Sequence, residues 1–232
     1  MRCVVRQLGR IDYREAYELQ KALLQDRLKG RIDDTLLLLE HPPTITVGKS
    51  GKLENIRVSQ EKLARAGVSL IFTDRGGDVT YHGPGQIVGY PILDLRERNR
   101  DIHQYVHNLE EMLIRTLSDY DIKSGRGHNH AGVWVKDMEI AALGLSVRRW
   151  ITMHGFALNI NTDLNHFALI NPCGFTDKTA TSMAQLLGHE LPSGGVTERL
   201  LAHFARVFEV DLELRDESAA GTYYERKIAT LV

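Results

Sequence analysis

Arg75-Gly76-Gly77-Asp78-Val79-Thr80-Tyr81-His82-Gly83-Pro84-Gly85-Gln86 puts four glycines, a proline and a histidine into twelve positions. A run of this kind marks turns rather than the interior of a helix or strand. Glycine also lets the main chain approach a ligand closely and adopt positive φ. A ridge of bare amides beside His82 therefore reads as a ligand cradle, and an ordinary glycine-rich hairpin fits the composition equally well. An alternating strand, Ile87 to Leu93, follows directly.

The rest of the chain interleaves strands and helices. Met1 to Leu8 reads as a strand and Tyr13 to Leu28 as a helix, with Ala16, Leu19, Leu23 and Leu24 on one face. Thr35–Glu40 and Thr44–Val47 are short strands, Ser59 caps a short helix over Glu61–Ala66, and Val68–Phe72 leads into the glycine run. Asp101–Tyr120 is the clearest helix, its stripe formed by Ile102, Tyr105, Val106, Leu109, Met112, Leu113 and Leu117. Gly132–Val135, Ile140–Val147 and Trp150–Ile160 are joined by short turns, which predicts an antiparallel meander. Helices at Thr181–Leu187 and Thr197–Phe208 and a strand at Val210–Leu214 complete the order. The expectation is an α/β chain of the α+β or mixed kind, with a mixed sheet of mainly antiparallel neighbours and helices. Residues 1–214 make the folded body and residues 215–232 a polar tail.

Charge and motif exclude several function classes. A net charge of −1 offers nothing to nucleic acid. No apolar run reaches the roughly 20 residues that span a bilayer, and the N-terminus lacks a signal-peptide core. Two cysteines, Cys3 and Cys173, make no disulfide framework, so the expected compartment is the cytoplasm. Gly48-Lys49-Ser50 ends like a phosphate loop, but Pro43 stands where its first glycine belongs. Gly83-Pro84-Gly85 begins like a dinucleotide fingerprint, but Val88 replaces the third glycine. His103 and His107 are spaced to share a metal, yet no glutamate follows His103 and both lie on a polar helix face. His128 and His130 have no acid or cysteine nearby. No metal and no cofactor are expected. Cys173, between Pro172 and Gly174, sits in a turn, where an accessible thiol serves either as a structural residue or as a nucleophile.

Taken together, Arg75–Gln86, Gly132-Val133-Trp134-Val135, Ile140-Ala141-Ala142-Leu143-Gly144, Thr152–Asn159, Asn171-Pro172-Cys173-Gly174 and Thr181-Ser182-Met183 resemble the octanoyltransferase family of lipoate biosynthesis. The resemblance implies a biotin/lipoate protein ligase-like catalytic domain. It implies transfer of an octanoyl group from octanoyl-acyl carrier protein to a lysine of lipoyl domains, those of the 2-oxoacid dehydrogenases and the glycine cleavage H protein. By the same resemblance Cys173 is the acyl-carrying nucleophile, and Arg75, Gly76, Gly77, Asp78, Val79, Thr80, Tyr81, His82, Ala142, Leu143, Gly144, Gly155, Phe156 and Ala157 line the acyl site. A thiolate suits this chemistry, because thioester exchange keeps the acyl group activated for a later amine. Amides of the glycine run and of a Leu143-Gly144 turn are candidate oxyanion donors, and Val79, Leu143, Phe156 and Leu158 are candidate walls of an apolar slot.

One position departs from the family. Its lysine before the Ile-Ala-Ala-Leu-Gly strand, which lowers the cysteine pKa, is Glu139 here. An anion opposes a thiolate: at about 4 Å and an effective dielectric of 20 the pair is worth about 4 kcal/mol. Lys136 or Lys178 supplies the missing ammonium, Glu139 itself acts as a base, or the chain is an impaired binder of acyl groups and carriers. An ATP-dependent lipoate ligase of related fold is a further reading, against which Cys173 argues. Acidic carriers favour a basic patch, for which Arg96, Arg98, Arg100 and Arg148-Arg149 are the candidates. His82 and His154 are candidates for positioning substrate or carrying a proton.

Overall fold

Four consecutive leucines, Leu36 to Leu39, show how the chain is layered. In a computed structural model all four are buried, alternate ones facing opposite sides of a central strand. The structure describes residues 1–127, 131–171 and 179–217. In order these form β1 (Arg2–Arg10), α1 (Tyr13–Leu28), β2 (Asp34–Glu40), β3 (Thr44–Val47), α2 (Gln60–Arg65), β4 (Ser69–Phe72), β5 (Val79–His82), β6 (Gln86–Ile92), α3 (Ile102–Ser118), β7 (Gly125–Arg126), β8 (Gly132–Val135), β9 (Met138–Arg148), β10 (Ile151–Asn159), β11 (Thr179–Ala180), α4 (Met183–Leu187), α5 (Ser193–Phe208) and β12 (Asp211–Asp216).

The main sheet has the order β12-β1-β2-β6-β10-β9-β8-β7, with β11 added alongside β9. Only the β12-β1, β1-β2 and β11-β9 pairs are parallel. A second sheet, β4-β3-β5, stands beside it. One face of the main sheet carries α1: Ala16 and Leu19 pack on Leu37, Leu39, Val88, Tyr90 and Ala157. The other face carries α3 and α5: Leu109, Met112, Leu113, Leu200 and Phe204 pack with Leu36, Leu38, Ile87, Phe156 and Leu158. Asp12, Asp101 and Ser59 cap their helices by accepting from main-chain amides, as their short polar side chains allow.

The mixed α/β architecture and the β8-β9-β10 meander match the sequence reading, and α1 has the bounds expected. Four details differ. The glycine-rich run makes no hairpin: β5 pairs with β3 in the small sheet, and β6 lies between β2 and β10 in the large one. All seven residues of β6 are buried, because both faces of a central strand are covered. Leu143 and Gly144 occupy no turn. They sit inside the eleven-residue strand β9, opposite Phe156 and Gly155. Finally α5 starts at Ser193, a turn earlier than expected, and β12 runs on to Asp216, where Glu217 takes a bidentate pair of 2.7 Å bonds from Arg6. Among the described residues no helix is long and apolar enough to cross a membrane.

Candidate active site

The segment from Arg75 to Asp78 folds back on the loop after β3, bonding through Gly48 N to Asp78 O, Lys49 N to Arg75 O and Ser50 N to Gly77 O. It also reaches across to the main sheet, where Gly76 N donates to Leu145 O at 2.7 Å. That crossing explains Gly144: a Cβ there would stand 3.0 Å from Arg75 Cδ and 3.2 Å from Gly76 O. Between the two sheets this arrangement leaves a cavity. Its walls are Tyr13 of α1, Arg75, Gly77, Asp78, Val79, Thr80 and His82 of the glycine run, Tyr90 of β6, Ala131 just before β8, Glu139 and Ala142–Gly144 of β9, and His154–Ala157 of β10.

Most residues named from the sequence therefore meet in one place. Gly76 and Tyr81 do not line the cavity: Gly76 is committed to Leu145, and Tyr81 points away, stacked on His166 at 4.8 Å and edge-on to Phe167. Leu158 is no wall either, being buried against α3 and α5. Lys136 lies exposed in the β8-β9 turn, outside the lining. Cys173, Lys178, His128 and His130 lie outside the described residues. The residues flanking the cysteine segment are held beside the cavity. On one side Asn171 N donates to Asn55 O, and the Asn55 amide donates to the Asp78 carboxylate. On the other, Ala180 pairs with Glu139, and Thr181 N donates to Glu139 O at 2.9 Å.

Arg75, 7% exposed, anchors the polar side. Its guanidinium donates to Thr46 Oγ1 and O, to Gly76 O and to Asp78 O, all at 2.8–3.1 Å. A relay continues from there. Thr46 Oγ1 donates to His82 Nε2, His82 Nδ1 donates to Gln86 Oε1, Gln86 Nε2 donates to Asn159 Oδ1, and Asn159 Nδ2 donates to Thr181 O. Burial first, then the neighbouring His41 ring and the Arg75 charge, keep His82 neutral, well below the usual histidine range. His41, fully buried, is pushed down to about 4 by desolvation; its Nδ1 donates to Ile11 O and its Nε2 accepts from the Tyr90 hydroxyl.

Tyr13, Tyr90 and Ala131 are wall residues that the linear pattern did not single out, and the geometry of His154, though not the residue, escaped it as well. His154 is in mid-strand at φ +55, a left-handed conformation that bulky side chains rarely adopt. This turn of the chain puts its ring on the α1 side, stacked on Tyr17 at 5.5 Å and edge-on to Tyr90, while its N–H donates to Gln20 Oε1. Nε2 lies 2.8 Å from Asp74 Oδ1. Accepting that bond is the main reason the Asp74 carboxyl is drawn down to about 2, with Tyr17 also contributing. Burial lowers the His154 pKa, so the ring is neutral at neutral pH; Nε2 carries the proton, and Nδ1 is a bare lone pair.

The two expected basic clusters meet on one surface, since Leu95 N bonds Trp150 O and Arg100 N bonds Leu95 O. Arg96 is paired with Asp94, and Arg98 with Asp34 and Phe208 O, so neither is available to a partner. Arg100, Arg148 and Arg149 are exposed there beside Trp150 and make no ion pair among the described residues.

Residues 12–205 match the family described as the lipoyl protein ligase A/B catalytic domain. An octanoyltransferase from Solibacter usitatus is 53% identical over 210 residues, covering 90% of this chain and 94% of that protein. One from Desulforamulus reducens is 45% identical over 218 residues, covering 94% and 96%. Among solved structures, a lipoate-protein ligase A bound with ATP superposes with a TM-score of 0.79 at 14% identity, over 100% of this chain and 94% of that one. A biotin protein ligase from Aquifex aeolicus gives 0.51 at 11% identity, over 90% and 69%. The structural likenesses speak to the fold, which is that of the lipoate and biotin protein ligase catalytic domains.

Proposed function

Because the chain belongs to the lipoyl protein ligase A/B catalytic-domain family, and its relatives at 44–53% identity are octanoyltransferases, we propose that it is an acyltransferase of protein lipoylation. It moves an octanoyl group from octanoyl-acyl carrier protein, through a thioester on Cys173, to a lysine of a lipoyl domain. The observation that carries this reading is the anchoring of both flanks of the cysteine segment on the cavity walls Asp78 and Glu139. Flanking residues held on two walls of an apolar slot suit delivery of a sulfur to it.

The chemistry proceeds in two exchanges. The Cys173 thiolate attacks the donor thioester carbonyl, the donor sulfur leaves as its thiolate and takes a proton from solvent, and the acyl group lies between Val79, Leu143 and Phe156. A lysine amine then attacks the enzyme thioester, forming an amide and returning the thiol. Arg75 provides a permanent positive charge in the wall that also holds Glu139, which offsets the carboxylate's opposition to the thiolate. Carrier docking is assigned to the surface of Arg100, Arg148 and Arg149. A ligase reading rests on the family description, which spans ligases, and on fold likeness at 11–15% identity, and ligation through an acyl-adenylate needs no cysteine.

Incubation with octanoyl-acyl carrier protein tests the reading by intact-mass measurement. A thioester on Cys173 that is lost on hydroxylamine treatment and absent in Cys173→Ala is expected. Octanoylation of a lipoyl domain by Cys173→Ala at the native rate would overturn it. Glu139→Lys raises the rate of adduct formation if the carboxylate is a hindrance and lowers it if Glu139 is a base.

A further inference from the structure

The cavity has an open end and a closed one. Gly77 and Ala131 are exposed and Asp78 and Ala142–Gly144 partly so, whereas Tyr13, His82, Tyr90, Phe156 and Ala157 are buried. The sheet floor rises between the two ends. Ala142 of β9 pairs with Ala157 of β10, and Ala157 pairs with Val88 of β6, so these three side chains share one face. Over β9 and β10 that face carries only methyl groups. On β6 it carries Tyr90, two residues on from Val88 and packed with it and Ala157 on the α1 side. Tyr13 comes in from α1, and His41 ties the two rings together, its centroid 5.0 Å from that of Tyr13 and 5.9 Å from that of Tyr90. The Tyr90 hydroxyl donates to His41 Nε2 at 2.8 Å, and the Tyr13 hydroxyl donates to Thr73 Oγ1 at 3.3 Å. With both hydroxyls engaged by the protein, this wall asks for no polar group from a ligand. Rings packed in this way yield to a surplus methylene only at the cost of overpacking.

We propose that Tyr13 and Tyr90 are the end stop of the acyl slot and limit it to a chain of octanoyl length. The inference rests on the acyl-transfer reading above. In that reading two proteins, the carrier and the lipoyl domain, approach the acyl carbonyl in turn. The carbonyl therefore stays at the open end, and the methyl end points toward the buried rings. Two strand spacings, about 10 Å, separate β9 from β6 in the order β6-β10-β9. An extended octanoyl chain, its seven carbon–carbon bonds of about 1.5 Å laid in a zigzag, measures about 9 Å. Two further carbons add about 2.5 Å and run into Tyr13 and Tyr90. A shorter chain leaves the wall untouched and forfeits the contact.

The test is the ratio of kcat/KM for decanoyl- and octanoyl-acyl carrier protein, with a lipoyl domain as acceptor. Both rates are read on one preparation, so a loss of folded protein lowers them together and leaves the ratio intact. The native chain should favour octanoyl by about tenfold or more, the scale on which a closed apolar site rejects a surplus methylene. Tyr13→Leu and Tyr90→Leu each cut back the wall and should raise the decanoyl-to-octanoyl ratio by about tenfold. Tyr13→Phe removes the hydroxyl, keeps the ring and should leave the ratio as it is. A ratio unmoved by both leucine variants, or a native chain that transfers decanoyl as fast as octanoyl, would overturn the end stop while the acyl-transfer reading stands. A native chain that transfers neither acyl group would defeat that reading, and the proposal with it.

Discussion

Gly89 of β6 and Phe156 of β10 are cross-strand partners, and the ring of Phe156 covers the bare Cα. A Cβ at position 89 would stand 2.1 Å from Cζ and 2.3 Å from Cε1 of that ring. Carbon contacts are optimal at about 3.5–4.0 Å, so the ring has to slide by more than an ångström. Phe156 is 2% exposed, with the core on one side and the cavity on the other, and the cavity is the side that yields. Overpacking of this kind costs about 1–3 kcal/mol. For a chain of this size each kcal/mol moves Tm by about 2–4 °C, so Gly89→Ala should melt about 2–12 °C lower and bind octanoyl donors more weakly. Phe156→Leu removes the obstruction at its own cost. Thermal and urea unfolding of both single variants and the double variant closes a cycle, in which the double should be less destabilised than the sum by about 1 kcal/mol or more. Additivity within about 0.5 kcal/mol would show that the glycine is not there to admit the ring.

Three further outcomes are expected. His41 is held down to about 4 against an ordinary 6.5. The unfolded chain binds the extra proton first as pH falls, so stability present above about 6.5 is lost toward pH 4, by about 3 kcal/mol from this residue; His82 and His154 act in the same direction. Urea midpoints that stay flat from pH 6.5 to 4 would contradict this. Arg27 bridges Asp34 at 2.9 Å, Asp94 at 3.5 Å and Glu97 at 3.0 Å, the first two carboxylates being 2% exposed. Arg27→Met should cost about 3 kcal/mol by stranding them, and a loss below 1 kcal/mol in urea unfolding would show that Arg96 and Arg98 suffice. Arg148→Glu with Arg149→Glu should raise KM for the acyl carrier donor and weaken its dependence on salt, leaving a small pantetheine thioester unaffected. An equal change with the small donor would remove the docking assignment.

Periodicity carried far in this chain. The α1 stripe and the Leu36–Leu39 run name their own elements because burial follows the repeat. The glycine run and the Ala142-Leu143-Gly144 and Gly155-Phe156-Ala157 segments converge on one cavity as their motifs imply. What local pattern does not carry is partnership across the chain. Tyr13 and Tyr90 look like ordinary core aromatics until two sheets meet over them. Gly76 and Tyr81 sit within the motif, yet one is spent on Leu145 and the other faces His166. Leu143-Gly144 resembles a turn because glycine usually marks one, but here it makes room for Arg75 to pass. The positive φ at His154 goes with contacts to Gln20 and Asp74, neither of which a window around position 154 contains.

The relay from Arg75 through Thr46, His82, Gln86 and Asn159 to Thr181 stitches the small sheet to the segment that joins β11 to α4. Each link hands its proton in one direction only, so its members are oriented as a set. Reversing a single amide or protonating one ring would misdirect the neighbours on both sides. The small sheet and the start of α4 are thus tied by one buried polar chain, and a conservative exchange deep within it, such as Gln86→Glu, should be felt at both of its ends.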